Sequence, residues 1–308
     1  MKDNTAVMAA YGLRKAYGNC MALDGVNMQV RRGDVYGLVG RNGAGKTTLM
    51  RMITGQSEST GGEMELFGAS GKNMRDQRSR TGAMIEIPSF SPFLTARENL
   101  EYYRLQRGIP GKQVVDEVLD MVDMADTGKK KFKSFSLGMK QRLGLALALM
   151  NHPDFLILDE PINGLDPEGV AEFRQILRQL NRERQTTILI SSHILTELSN
   201  VATRYGFMEQ GKLLEEISAE ALHDKCRTCL RLEVDDAAKA AAVLQTQLGT
   251  DKFEVLPGNV VQLYDCLDDP KQASYALAGH GVALLAMEQK GADLEAYFLN
   301  LIGGGRHA

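Results

Sequence analysis

A glycine-rich loop, GRNGAGKTT at residues 40–48, fits the pattern G-x-x-x-x-G-K-[ST] of a phosphate-binding loop. Such a loop lies between a buried strand and a helix whose N-terminus faces the bound anion. The flanking sequence fits this order, because VYGLV at 35–39 predicts a buried strand and KTTLMRMI at 46–53 predicts a helix. The chain is therefore predicted to contain an α/β domain that binds a nucleoside triphosphate. An incidental glycine-rich turn is the alternative interpretation.

The residue types in the loop suit a phosphate. Gly40, Gly43 and Gly45 can adopt backbone angles that are closed to residues with a Cβ, so successive N–H groups can turn towards an anion. Lys46 supplies a mobile positive charge for the β- and γ-phosphates, and the Thr47 hydroxyl is placed to hold Mg²⁺. The predicted cradle consists of Gly40, Asn42, Gly43, Ala44, Gly45, Lys46, Thr47 and Thr48.

Two further apolar runs end in chemically useful groups. FLILDEP, at 155–161, predicts a buried parallel strand that delivers Asp159 and Glu160 to the carboxyl edge of the sheet. Asp159 would bind Mg²⁺ through water, and Glu160 would accept a proton from an attacking water or orient it. TTILISSH ends in His193, at the place where a γ-phosphate sensor is needed, although a lone histidine is more often a satisfied structural residue.

Two helix starts carry residues that are both structural and potentially functional. In SFSLGMKQR, Ser136 can cap the following helix and Gly138 lets a backbone N–H approach a ligand, so this helix tip is either an anion site or an ordinary capped core helix. In NGLDPEG, Asp166 is the predicted N-cap and Pro167 the first helical residue, which accounts for both without invoking function.

Composition and charge limit the possible partners. The net charge of −3 gives no bulk attraction to nucleic acid or anionic lipid, and no nucleic-acid partner is expected. The N-terminus lacks the apolar region of a secretory signal, and the longest apolar run, at 145–150, is far shorter than the ~20 residues of a membrane span. A cytosolic protein is predicted, so any membrane role must come through a partner.

A mostly helical insert is predicted at about 87–150. It contains a T-x-x-E capping box at Thr95 and Glu98, which opens a helix. The basic run GKKKFK, at 128–133, is interpreted as a solvated connection, with a nucleic-acid patch as the alternative.

The character of the sequence changes beyond Gly211. Short strand-like runs (RLEVDD, FEVL, NVVQLYD and VALLAMEQ) alternate with two helical runs in the order β-α-β-β-α-β, and GADLEAYFLNLI predicts a final helix. An ATP-binding domain at 1–217 and an α+β accessory domain at 218–308 are therefore predicted. Cys226 and Cys229 form a C-x-x-C without the second pair typical of a structural zinc site, which favours reduced, incidental thiols.

The order of GRNGAGKTT, SLGMKQR, FLILDEP, GLDP and SSH resembles the ATP-binding subunit of ABC transporters over roughly the first two-thirds of the chain. The resemblance implies an α/β fold of the P-loop NTPase class and ABC ATPase type, with a mixed sheet and a helical subdomain. The small α+β domain follows this part of the chain.

The resemblance also implies how the protein works. Two copies form a head-to-tail dimer in which each ATP, with Mg²⁺, lies between the phosphate loop of one copy and the Ser136–Gly138 helix tip of the other. Tyr17 in RKAYG stacks on adenine, Asp166 crosses the dimer interface, and His193 is the switch histidine. The implied catalytic residues are Glu160, His193 and Lys46, and the implied metal ligands are Thr47, Asp159 and Glu86.

Two positions depart from the family pattern. The signature LSGGQ is FSLGM here, with Leu137 and Met139 in place of a glycine and the glutamine. Glu86 stands where the family has a glutamine that senses Mg²⁺ and the membrane partner, and a carboxylate cannot donate a hydrogen bond as an amide can. These departures, with FSPFLTARENL and LEAYFLNL, resemble the subgroup that exports bacitracin and lantibiotics or confers immunity to them.

The favoured function is that of an ATPase subunit that drives a separately encoded permease from the inner face of the plasma membrane. The segment 87–100, with Phe90 and Phe93, would form part of the groove that receives the permease. The alternatives are a soluble ABC-type ATPase switch acting on ribosomes or DNA, and a subunit that no longer hydrolyses ATP. Ribosomal relatives carry two motif sets and DNA-repair relatives insert long coiled coils, and this chain has neither.

Overall fold

The protein forms two compact units in the computed structural model, which describes residues 5–86, 89–290 and 294–303. The first unit ends at Ala219 and the second begins at Glu220. The first is an α/β unit with a mixed sheet, and the second is a small α+β unit. The predicted fold class is therefore confirmed.

The first unit contains the phosphate loop and most of the helices. Its strands are β1 (Ala6–Tyr17), β2 (Cys20–Arg31), β3 (Val35–Gly40), β4 (Gly61–Leu66), β5 (Ala69–Ser70), β6 (Thr81–Met84), β7 (Phe155–Leu158), β8 (Thr187–Ser192), β9 (Arg204–Glu209) and β10 (Lys212–Ser218). Its helices are α1 (Lys46–Ile53), α2 (Met74–Gln77), α3 (Ala96–Gln106), α4 (Gln113–Met121), α5 (Leu137–Leu149), α6 (Pro167–Arg184) and α7 (Leu195–Leu198).

The main sheet positions the candidate site. Its strand order is β10-β9-β3-β8-β7-β6, and only the β10–β9 pairing is antiparallel. Strands β3, β7 and β8 are buried throughout, as the apolar runs at 35–39 and 155–158 predict. Because β3, β8 and β7 are parallel neighbours, their carboxyl ends meet at one edge of the sheet.

A second sheet, with strand order β2-β1-β4-β5, is antiparallel and has one wet face. Val26, Met28 and Val30 are buried on β2, whereas Asn27 between them is exposed. Met64 and Leu66 on β4 are also buried. Apolar and polar residues alternate along both strands, as expected for antiparallel strands with one wet face.

One hydrophobic core joins the two sheets through α1. Leu49 and Ile53 of α1 pack in the same buried cluster as Val26 of the antiparallel sheet and Leu38 and Ile157 of the main sheet. Burying such a helix fixes its N-terminus, and with it the phosphate loop, relative to the strand ends.

The helical insert contains α3, α4 and α5. The predicted capping box is present: Thr95 Oγ1 accepts a 3.2 Å hydrogen bond from the Glu98 N–H, and Glu98 Oε2 accepts one of 2.7 Å from the Thr95 N–H. Leu100, Val118 and Leu145 bury one side of each helix. None of the helices in the described parts of the chain combines the length and the apolar character of a bilayer span.

The second unit has the predicted β-α-β-β-α-β order. Its elements are α8 (Ala219–Cys226), which begins at the last residue of the first unit, then β11 (Cys229–Val234), α9 (Ala237–Gln247), β12 (Phe253–Leu256), β13 (Val260–Leu263), α10 (Pro270–Gly279), β14 (Leu284–Lys290) and α11 (Leu294–Gly303). The sheet is antiparallel with strand order β12-β13-β11-β14, the arrangement of a ferredoxin-like fold. Leu232 and Val261 of the sheet share a core with Leu244 and Leu277 of the helices. The predicted final helix begins at Leu294, and its first three predicted residues lie outside the described residues.

A buried tyrosine in the main sheet requires a glycine beside it. Tyr36 on β3 is fully buried, and its hydroxyl donates a 2.7 Å hydrogen bond to Glu216 Oε1. Burial, and then the Glu216 carboxylate, raises the pKa of Tyr36 well above its usual value, so the hydroxyl remains the donor. A Cβ at Gly206 on β9 would overlap this hydroxyl oxygen.

We therefore expect Gly206→Ala to lower the free energy of unfolding by about 1–3 kcal/mol, the usual cost of overpacking a core. Urea unfolding followed by circular dichroism measures it. Gly61→Ala is the matched control, because a Cβ at Gly61 would meet the Arg14 side chain at an ordinary 3.7 Å. Equal midpoints for the two variants would contradict the steric assignment.

Candidate functional site

The phosphate loop connects the end of β3 at Gly40 to the start of α1 at Lys46. Gly43 and Gly45 have φ of +83° and +106°, as the sequence predicts. A Cβ at Gly45 would lie 2.6 Å from the Ala22 carbonyl oxygen, so space as well as backbone angle requires glycine here. Asn42 is exposed beside these glycines, and Thr48 is half-buried on α1.

Gly40 and Ala44 are held in the loop by tertiary contacts that the sequence does not reveal. Gly40 has no positive φ, so the prediction that it supplies an unusual backbone angle is wrong. It is confined by packing instead, because a Cβ there would lie 2.5 Å from the Met208 carbonyl oxygen on the neighbouring strand β9. Ala44 is buried in the core and accepts a 3.0 Å hydrogen bond from the Gly211 N–H, which anchors the middle of the loop.

Lys46 lies under the loop with its side chain 5% exposed. Its ammonium donates to the carbonyl oxygens of Gly40 at 2.5 Å and Arg41 at 3.3 Å. It also forms a 3.1 Å ion pair with Glu160 Oε1. The positive charge is therefore held inside the curve of the loop.

Thr47 and Asp159 meet at the edge of the sheet. The Thr47 hydroxyl donates a 2.7 Å hydrogen bond to Asp159 Oδ2. The other carboxylate oxygen, Oδ1, accepts a 2.7 Å hydrogen bond from the hydroxyl of Ser191 on β8. A hydroxyl and a carboxylate oxygen are the hard ligands that Mg²⁺ prefers.

Glu160 connects the lysine to the histidine. Its backbone is in the left-handed region, with φ of +49°, and its N–H donates a 2.8 Å hydrogen bond to Ser191 Oγ. Its Oε2 lies 2.6 Å from His193 Nδ1, while its Oε1 faces Lys46. A fixed carboxylate with a histidine beside it is an arrangement suited to moving a proton.

Ser191 is a site residue that the sequence analysis missed. Its hydroxyl contacts both consecutive acidic residues, as donor to Asp159 and acceptor from Glu160. The sequence did contain a signal for Ser191, because a small polar residue follows the apolar run in TTILISSH. Only His193 of this sequence was assigned a role.

Ser136, Gly138 and Asp166 belong to two neighbouring helix starts. Ser136 Oγ accepts a 3.3 Å hydrogen bond from the Met139 N–H, and Asp166 Oδ1 accepts one of 3.2 Å from the Gly169 N–H, so both are N-caps as predicted. A Cβ at Gly138 would lie 3.8 Å from Leu165, which places the two starts side by side. Within the described residues, no hydrogen bond links them to the phosphate loop.

Tyr17 lies at the tip of the β1–β2 hairpin with 48% of its surface exposed. Its hydroxyl is 3.2 Å from Ser57 Oγ, and Lys15 Nζ lies 4.8 Å from its ring centroid. An exposed ring held in this way is accessible for stacking on a planar ligand.

Glu86 is exposed and pairs with a residue that the sequence analysis did not consider. Its carboxylate accepts a 2.5 Å hydrogen bond from the Arg51 guanidinium, and its φ is +62°. Arg51 lies one helical turn after Thr47 on α1, so the ion pair lies on the same side of α1 as Thr47. The structure records Arg51, rather than Thr47 or Asp159, as the contact of this carboxylate.

The C-x-x-C sequence belongs to the second unit. Cys226 ends α8 and Cys229 begins β11. Among the residues that the structure describes, no three His, Cys, Asp or Glu side chains are grouped to hold a metal ion.

Comparison with known proteins gives consistent matches. The profile of a family described as "ABC transporter" matches residues 23–163. The bacitracin transport ATP-binding protein BcrA of Bacillus licheniformis is 40% identical over 98% of this chain and 99% of its own length. The lantibiotic transport ATP-binding protein SrtF of Streptococcus pyogenes is 42% identical over 66% of this chain and 87% of its own length.

Solved structures share the fold of the first unit. One is the dimeric post-hydrolysis state of the ATP-binding cassette MJ0796 bound to ADP and Pi, which has a TM-score of 0.62 and 23% identity. The match covers 69% of this chain and 98% of the MJ0796 chain.

We expect Ser191→Ala to lower ATP turnover by about 10- to 100-fold, the usual effect of losing a group that orients a metal ligand. Nucleotide affinity should change little, since Ser191 does not contact the loop. Steady-state hydrolysis and titration with a fluorescent nucleotide separate the two effects.

The adjacent Ser192→Ala is the control for this variant, because the Ser192 hydroxyl donates to Glu197 at 2.6 Å instead of to Asp159. Similar turnover in the two variants would show that the hydroxyl of Ser191 has no special role.

Proposed function

The chain belongs to the ABC transporter family, and we propose from this membership that it hydrolyses ATP to drive a separate membrane permease that exports peptide antibiotics or confers immunity to them. The observation that carries the proposal is the 40% identity to a bacitracin transport ATP-binding protein over 98% of this chain, which includes the second unit. The geometry of the sheet edge supplies the residues that the reaction needs.

The loop fits a polyphosphate. The positive φ values of Gly43 and Gly45 let backbone N–H groups turn towards an anion. A Cβ at Gly45 would fill the space beside the loop. Lys46 Nζ is held by carbonyl oxygens within the loop, from where it can reach the β- and γ-phosphates. The exposed ring of Tyr17 would stack on adenine. These residues, with Asn42 and Thr48, are the proposed ATP contacts.

The oxygen atoms near the loop fit Mg²⁺. Thr47 Oγ1 and Asp159 Oδ2 lie 2.7 Å apart, and this metal is usually held by one or two protein oxygens together with substrate phosphates. When bound there it would neutralise charge on the β- and γ-phosphates. Ser191 would orient the Asp159 carboxylate from the other side.

Glu160 is the proposed general base. Its carboxylate would take the proton of the attacking water, and the 2.6 Å contact with His193 would hold it in place for this step. In the described structure its other oxygen is paired with Lys46. A bound phosphate would attract Lys46 and leave this oxygen for the water. His193 would then contact the γ-phosphate as its sensor.

A second copy would complete the site. Ser136, Gly138 and Asp166 are exposed or half-buried, and their described hydrogen bonds end within their own helices. They would face the nucleotide held by the phosphate loop of the partner in a head-to-tail dimer. The solved relative with 23% identity is dimeric, which agrees with this arrangement.

The permease would bind the helical insert from outside the bilayer, which would place this chain at the inner face of the plasma membrane. Phe93 is 71% exposed, whereas Phe90 is buried, so Phe93 offers an apolar contact in the segment after Glu86. Ile87, the first residue of the proposed groove, lies outside the described residues. Glu86, which is paired with Arg51, would connect this groove to the metal site.

The division into an ATP-binding domain at 1–217 and an accessory domain at 218–308 remains a proposal about function. The alignment with the bacitracin relative covers both units, so the second unit is shared with that protein. We propose that it serves the transporter as an accessory domain.

Glu160→Gln should lower ATP turnover by about 10²- to 10⁴-fold, as expected for the loss of a general base, and should retain ATP binding. Lys46→Ala should instead weaken ATP binding itself, because it removes the charge that faces the phosphates. Calorimetry and steady-state hydrolysis on both variants measure these effects. Unchanged turnover in Glu160→Gln would remove Glu160 from this role, and unchanged affinity in Lys46→Ala would contradict the phosphate-loop assignment.

The transport proposal predicts a physical complex with a polytopic membrane protein encoded beside this gene. Copurified in detergent or nanodiscs, the complex should hydrolyse ATP faster when bacitracin or a lantibiotic is added, whereas an unrelated linear peptide should have little effect. The Glu160→Gln complex controls for contaminating ATPases. A complex stimulated by neither peptide would contradict the proposed cargo, and the absence of a complex would favour a soluble ATPase switch.

A further inference from the structure

The basic run GKKKFK lies directly before the helix tip that carries Ser136, and the structure gives it a role that its charge alone does not suggest. We define residues 131–135 as the tether and residues 90–98 as the α3 entry, the segment that leads into α3 and forms its first turn. The tether comprises the last three residues of the basic run and the two residues that lead to Ser136. Its contacts are with the α3 entry, which is distant in the sequence.

Backbone hydrogen bonds join the tether to the α3 entry. The Phe132 N–H donates to the Leu94 carbonyl at 2.9 Å, and the Lys133 N–H donates to the Pro92 carbonyl at 3.1 Å. Lys131 forms an antiparallel bridge with Thr95. The first three residues of the tether are therefore held against residues 92–95.

An ion pair closes the same junction. Lys131 Nζ lies 3.0 Å from Glu98 Oε2, the oxygen that also accepts from the Thr95 N–H in the capping box. The Thr95 N–H, and then the Lys131 ammonium, hold the pKa of the Glu98 carboxyl below its usual value. One carboxylate thus both starts α3 and holds the tether.

Aromatic rings form the apolar side of this junction. The Phe132 ring centroid lies 5.2 Å from that of Phe90 and 5.7 Å from that of Phe135. Phe90 in turn packs edge-on against Tyr103 of α3 at 5.6 Å. Phe90 and Phe135 are buried, so Phe132 joins two anchored rings.

The tether ends in a turn immediately before Ser136. The Ser134 N–H donates to the Lys131 carbonyl at 2.9 Å, and the Phe135 N–H donates to the Phe132 carbonyl at 3.0 Å, which makes a tight turn. Ser136 follows at once as the N-cap of α5. Because Ser136 follows the buried Phe135 directly, contacts that hold the tether can fix the position of the cap.

Other lysines of the basic run also have intramolecular contacts. Lys130 Nζ lies 3.5 Å from Met139 Sδ, and Lys133 Nζ lies 5.8 Å from the Phe93 ring centroid. Lys130 and Lys133 are themselves exposed, so the structural role of this run rests on Lys131, whose ammonium pairs with Glu98.

We propose that Lys131 and Phe132 are positioning residues that fix Ser136 for the nucleotide bound by the partner copy. The inference rests on the proposed role of Ser136 in a dimer that encloses ATP. Lys131 and Phe132 are not expected to touch ATP. Their loss should weaken the ATP-dependent dimer and leave the affinity of the separate chain for ATP unchanged.

The test uses the full chain with Glu160→Gln, so that ATP is retained, and measures dimerisation in ATP and Mg²⁺ by analytical ultracentrifugation. Phe132→Ala and Lys131→Met should each raise the dimer dissociation constant by about 3- to 10-fold, the loss expected for one aromatic or charged contact. Nucleotide affinity at concentrations below dimerisation should stay within about twofold, since the phosphate loop is intact. Phe132→Tyr should restore the dimer, because it keeps the ring.

Matched variants separate positioning from general damage. Lys129→Met removes an exposed lysine of the same run and should leave the dimer unchanged. Glu98→Gln keeps an acceptor for the capping box but loses the charge, so its effect should not add to that of Lys131→Met. Additive effects of the two variants would show that the ion pair does not act as a unit.

Ser136→Ala distinguishes failure of the inference from failure of the proposed function. A weaker dimer with Ser136→Ala, but an unchanged dimer with Phe132→Ala and Lys131→Met, would overturn the positioning role alone. No effect of Ser136→Ala would overturn the role of Ser136 in the dimer and the inference that rests on it. If Phe132→Ala does not fold, Phe132→Leu and the surface change Lys131→Met decide the question.

Discussion

The hydrogen bonds around the Asp159 carboxylate are the interaction on which the site depends. One oxygen accepts from Thr47 on the helix after the phosphate loop, and the other accepts from Ser191 at the end of β8. Three elements that are far apart in the sequence are thereby joined at one point. The same serine receives the Glu160 N–H, so both acidic residues are fixed by a single hydroxyl.

This junction exists because three parallel strands end together. The order β3-β8-β7 places the loop, the serine and the two acids at neighbouring strand ends. The side chains of these three strands are buried. The helix tip carrying Ser136 belongs to the helical insert instead, where residues 131–133 pair with residues 92–95, which are also distant in the sequence. The first group forms within one chain, whereas we propose that the second acts across two copies.

The sequence predicted those features that local patterns encode. The phosphate loop, the buried strands and the N-caps all depend on residues close to one another along the chain. Other features depend on distant partners that no periodicity reveals. Gly40 is required by the carbonyl of Met208, Ser191 acts through Asp159, and Glu86 is paired with Arg51. Local reasoning therefore identified the acidic residues but not the neighbours that orient them.

The pairing of Lys46 with Glu160 has a consequence for how a ligand enters. The Lys46 ammonium is surrounded by two carbonyl oxygens and the Glu160 carboxylate, so its charge is balanced by groups of the same chain. In the proposed mechanism, a polyphosphate that binds the loop would replace this carboxylate as the partner of Lys46. Binding of the substrate would thereby release the side chain that is proposed to activate the attacking water.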